Sequence, residues 1–112
     1  MKRAHIGEFE ELVLLTVGIL FRDAYGLGIV DELEKQTGRQ FLMSAVHKAL
    51  VRLEDKGMVR SFLGGATAER GGRDKRLYLL TESGAKVLSQ SRDQRNAMWK
   101  QIPKTALEGG KA

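Results

Sequence analysis

Residues 45–56 place Val46, Ala49, Leu50 and Leu53 three and four apart, between Ser44, a good N-cap, and Gly57, a good terminator. That spacing predicts a short helix with one inward stripe. Its opposite face carries Ser44, His47, Lys48, Val51, Arg52 and Asp55. Two strand-like runs follow at once, 58–63 and 76–80, joined by a Gly-rich basic loop over 64–75. A helix leading directly into such a pair reads as a helix followed by a hairpin with a long tip.

The segments before it supply two more helices. Over 8–21, Phe9, Leu12, Val13, Thr16, Ile19 and Leu20 fall at helical spacing, with Glu8, Glu10 and Glu11 in the first turn where the helix dipole favours acids. Over 25–37, Tyr25, Ile29 and Leu33 recur every fourth position, and Gly38 is a stop signal. A tight link at Gln40, Phe41 and Leu42 separates this helix from the third, which outlines a helix-turn-helix. A last helix opens at Thr81 and Gly84 and ends at Pro103, with a frayed tail beyond. No internal repeat is present.

Charge is unevenly placed. Of 19 Lys and Arg and 14 Asp and Glu in the 112 residues, nine bases and four acids lie within 39–76. The whole net charge of +5 therefore sits in that segment, the footprint of a polyanion partner. On the third helix, Lys48 and Arg52 can donate to guanine or phosphate, and Ser44 and His47 share their face. Taken alone that helix also fits an ordinary amphipathic surface helix. The loop adds Arg70, Arg73, Lys75 and Arg76 beside paired glycines, which let backbone and guanidinium approach phosphates closely.

Other classes fit poorly. Zero cysteines exclude disulfides, thiolate metal sites and a Cys nucleophile, and point to the cytoplasm. The longest apolar run, 12–21, is interrupted by Thr16 and Gly18 and is far short of the roughly 20 residues that span a membrane. Acids at Glu8, Glu10 and Glu11 exclude a signal peptide. His5 and His47 have no metal-ligand or paired-carboxylate motif around them, and Gly26-Leu27-Gly28 lacks the third glycine and the preceding strand of a dinucleotide fingerprint. No enzyme, no cofactor and no metal is expected.

The order helix, link, helix, basic hairpin predicts an α+β winged helix-turn-helix. Tyr25-Gly26, Thr37-Gly38-Arg39, Val46, the run from Leu50 through Arg52-Leu53-Glu54 to Gly57 and Val59, Glu69-Arg70-Gly71-Gly72-Arg73, and Leu79-x-Thr81-x-x-Gly84 together resemble the PadR family of bacterial transcriptional regulators. The resemblance covers about residues 6–90 and is strong where the Gly-Gly-Arg wing joins the Leu-Thr-x-x-Gly segment. It implies a dimeric DNA-binding repressor, with the third helix in the major groove and the wing on the adjacent backbone. Carried over by position, it makes Ser44, Lys48 and Arg52 groove or phosphate contacts and Arg70, Arg73 and Lys75 wing contacts. At position 47 the family's usual Tyr is replaced by His47.

The last helix is polar from Ser89 to Asn96, then presents Met98, Trp99 and Ile102. An apolar far end suits a second subunit, where Trp and Met are favoured, or else folding back onto Phe9 and Leu12 of the first helix. The expected organisation is a DNA-binding domain over 6–82, a dimerisation helix over 83–103 and a flexible tail over 104–112. The expected interface uses Phe9, Leu12, Met98, Trp99 and Ile102. The expected function is a homodimeric regulator, a repressor by resemblance, on double-stranded DNA carrying an inverted repeat. Two other readings stay open: a sensor holding a small planar hydrophobic ligand between subunits near Trp99, and a winged-helix module for protein partners.

Overall fold

The computed structural model describes residues 6–64 and 75–109. Four main helices and one hairpin run in the order α1 (Glu8–Leu20), a 3-10 turn (Phe21–Asp23), α2 (Gly26–Thr37), α3 (Met43–Asp55), β1 (Val59–Gly64), β2 (Lys75–Leu80) and α4 (Glu82–Lys100). A short α5 (Lys104–Leu107) follows. The strands pair antiparallel from Val59 opposite Leu80 to Gly64 opposite Lys75. Three helices with an antiparallel hairpin form the winged helix-turn-helix that the sequence predicts.

Helices α1, α2 and α3 close around one core. The stripe predicted on α3 is buried throughout: Val46, Ala49, Leu50 and Leu53 meet Val13, Leu14 and Val17 of α1 and Ile29 and Leu33 of α2. Both predicted glycine stops hold. Gly38 and Gly57 have φ of 70° and 75°, the left-handed region that a Cβ disfavours.

The hairpin is stapled to the helices at its base. Tyr25 bridges to Leu77, and the Tyr78 amide donates to the Ala24 carbonyl at 2.8 Å. Its far side leads into α4 through Thr81. The Thr81 amide donates to the Met58 carbonyl at 3.0 Å, and its hydroxyl accepts from the Gly84 amide at 3.0 Å as a helix cap. A Cβ on Gly84 would lie 2.0 Å from the Met58 carbonyl oxygen, so only glycine admits this approach. The Leu-Thr-x-x-Gly segment thus joins the hairpin to α4.

Several expectations shift. Helix α3 starts at Met43, capped by the Leu42 backbone with no side-chain cap, so Ser44 lies inside the first turn and stays exposed. On α1 the buried arc is Glu10, Val13, Leu14, Thr16 and Val17, and Ile19 is exposed, because α1 packs against α2 and α3 on one side and β2 and α4 on others. Phe9 stacks on Phe41 of its own chain, with ring centroids 5.6 Å apart. The tail expected to be flexible from 104 onward begins with α5, whose first turn follows Pro103.

The polar middle of α4 is tied to α1. The Ser91 hydroxyl donates to Glu11, and Arg95 Nη2 lies 3.2 Å from Glu11 Oε1. Beyond that tie α4 carries its apolar end outward, which stretches the chain to a radius of gyration of 17.2 Å, against about 13 Å for a compact chain of this length.

Candidate nucleic-acid interface

Ser44, His47, Lys48 and Arg52 all lie on the exposed face of α3, as the periodicity predicts. They differ in what they touch. Lys48 has no ion pair with any described residue. Arg52, in contrast, is held from behind. Its Nε donates to Glu10 Oε2 at 2.8 Å, and Lys56 Nζ donates to Glu10 Oε1 at 2.7 Å.

Glu10 is only 8% exposed, at the foot of α1. Burial opposes its charge, but the hydrogen bonds from Lys56 and Arg52, together with their positive charges, outweigh burial and hold the carboxyl below the usual glutamate range. Sequence reading assigned Glu10 to the helix dipole. A signal was available: Glu10 falls three, four and seven positions before Val13, Leu14 and Val17, squarely on the buried arc.

The loop end of the hairpin shows the same pattern. Lys75 Nζ sits 3.9 Å from the centroid of the Tyr25 ring and 3.5 Å from Asp23 Oδ1. Arg76 Nη1 donates to the Ser61 hydroxyl at 2.9 Å, which in turn donates to Glu54 Oε2 at 2.8 Å. Burial pushes the neighbouring Tyr78 phenol up, with Arg76 opposing and Glu54 adding to the shift. Arg70 and Arg73 lie outside the described residues.

Between the start of α3 and the start of β2 is a hollow of about 270 Å³, lined by Tyr25, Met43, His47, Lys75 and Arg76 among others. Tyr25 and Met43 were missed by sequence reading, since both look like core residues. Of the two glycines that faintly imitate a nucleotide fingerprint, Gly28 packs against Tyr25: a Cβ there would meet the ring at 2.9 Å.

At the other end of the molecule, Met98 and Trp99 are each 61% exposed and Ile102 is 38% exposed. Leu12 lies on the floor of a groove of about 550 Å³ between α1 and α4, with Leu15 and Leu88 beside it and Arg92 and Arg95 at its edge. The structure does not bring Phe9 to that surface; it packs toward Phe41 instead. Among the described residues no group of His, Asp and Glu could hold a metal ion, and no helix is long and apolar enough to cross a membrane.

A family model described as the transcriptional regulator PadR-like family matches residues 14–90, from the core of α1 through the first half of α4. The chain belongs to the PadR-like family. It is accordingly a DNA-binding transcriptional regulator and not an enzyme. The solved structures agree with the PadR fold. A PadR family transcription regulator from Clostridium difficile is 23% identical, with 84% of this chain and 93% of that chain covered at a TM-score of 0.67. A PadR-like regulator from Bacillus cereus is 15% identical, with 82% and 84% covered at 0.68. An hsRosR-S4 complex is 21% identical, with 92% and 82% covered at 0.68. At these identities the likeness establishes the winged-helix fold. No curated protein matches the sequence.

Proposed function

We propose that this PadR-like regulator acts as a homodimer that represses transcription by binding an inverted-repeat operator. The observation that carries the reading is the exposed row of Ser44, His47 and Lys48 on the leading half of α3, the half that a helix-turn-helix directs to base edges. Arg52 stands further along the same face but is turned back to Glu10, so this reading, unlike the sequence expectation, assigns it no phosphate or base contact. Lys75 and Arg76 at the loop end of β2, with Arg70 and Arg73 in the sequence between the strands, are placed by this reading on the neighbouring phosphates. Pairing of two copies through α4 and α1 covers Met98, Trp99, Ile102 and Leu12, large apolar groups that suit a subunit interface. The domain that reads DNA then spans 6–82, and residues 83–103 serve dimerisation.

A mobility-shift titration on the DNA upstream of its own gene tests the reading. Saturable binding, with two protomers per inverted repeat and half-sites about one helical turn apart, is the expected outcome. A complex of one protomer per site, or binding no tighter than to unrelated duplex, contradicts it.

The exposure of Trp99 favours a second role, a planar hydrophobic ligand seated between the two subunits. Saturable quenching of Trp99 fluorescence by planar dyes, abolished in Trp99→Ala, is the outcome that supports it.

A further inference from the structure

We propose that Glu10 limits the charge that α3 presents to DNA, holding Arg52 and Lys56 against α1 in the place a phosphate would take. The inference rests on the reading of α3 as the DNA-facing helix. Both oxygens of Glu10 are engaged, one by each cation, at 2.8 Å and 2.7 Å. A carboxylate offers these groups the same anionic oxygens that a phosphodiester does. The two cations are not buried with it: the Arg52 side chain is 53% exposed and that of Lys56 38%, so both remain at the edge of the surface that meets DNA.

Stability alone does not call for an acid at this position. Glu10 shares its arc with Val13, Leu14 and Val17, and an ion pair in such a setting is often no better than a well-packed apolar side chain. What an acid does there, and an apolar residue cannot, is cancel charge. Lys48 is the α3 cation without an acid partner among the described residues. Charge on a DNA-binding face contributes mainly the sequence-independent part of affinity. Cancelling one of the two charges and holding both cations on Glu10 therefore lowers affinity for random DNA and leaves discrimination to the leading half of α3.

The test is fluorescence anisotropy on a random-sequence duplex between 50 and 200 mM salt, using the full chain, Glu10→Gln, and a double variant carrying Arg52→Gln and Lys56→Gln. Each phosphate neutralised adds about 0.9 to the slope of log affinity against log salt. Glu10→Gln should steepen that slope by up to about 1.8, so its gain over wild type is roughly tenfold larger at 50 than at 200 mM. The double variant should keep the wild-type slope, since in wild type both cations are held on Glu10 and neither neutralises a phosphate. A Glu10 that only staples α1 to α3 would change the melting temperature and leave the slope alone, and that result overturns the proposal. If Glu10→Gln does not fold, the double variant decides: an unchanged slope supports the proposal, and a fall of about two units overturns it. Wild type binding with equal slopes in all three proteins overturns this inference alone. Wild type binding no duplex at all overturns the DNA-facing reading of α3 together with it.

Discussion

Glu10 and Arg52, 42 positions apart in sequence, meet with Oε2 and Nε 2.8 Å apart, and this contact fixes α3 to α1. Because the folded carboxyl ionises more readily than an unfolded one, the pair contributes stability above the unfolded glutamate pKa of about 4.3, and that contribution disappears as pH falls through the lower folded value. Arg52 and Lys56 both face this carboxyl. Glu10→Gln should therefore be less stable than wild type by roughly 1–2 kcal/mol at pH 7, since both cations are partly solvated. The gap should narrow steadily as pH falls below the unfolded glutamate value and close only below the lowered folded one. Urea unfolding over a descending pH series checks this; a gap that does not change with pH would assign the loss to packing.

Gly84→Ala should destabilise the fold by about 3 kcal/mol, because the new methyl group meets backbone that has no room to move. The Met58 carbonyl already accepts from the Thr81 amide, so shifting it breaks the joint between hairpin and α4. Thr81→Ala should cost about 1 kcal/mol through loss of the cap. Chemical denaturation of both variants ranks them, and equal losses would contradict the assigned roles.

Deleting residues after Asn96 removes Met98, Trp99 and Ile102 but keeps Arg95 and its tie to Glu11. Light scattering should then give half the wild-type mass, with the melting of the helical core little changed. An unchanged mass would locate the subunit interface elsewhere.

How far the sequence reads ahead of the structure differs by element. The inward face of α3 was legible because its four apolar positions are spaced by the helix itself, and Gly38 and Gly57 announce turns that need positive φ. Glu10 and Glu11 were not, although they are neighbours: one grips α3 and the other α4, through partners 42 to 84 positions away. Local periodicity carries no information about such partners. The start of α3 was misplaced because its first amides find no side-chain acceptor, which leaves the boundary without a polar marker. Lys75 and Arg76 were legible as basic but not as engaged, since Asp23, Tyr25 and Ser61 come to them only when the hairpin docks.

The most direct test of the account is the affinity of Lys48→Ala for the duplex from upstream of its own gene, measured beside wild type at a fixed salt concentration. Lys48 stands exposed on α3 with no ion pair to any described residue, so removing it disturbs the interface with little effect on the fold. A loss of about fivefold or more is expected, the 1–3 kcal/mol of a base or phosphate contact, with an unchanged melting temperature. Wild-type affinity in this variant would contradict α3 as the helix that meets DNA.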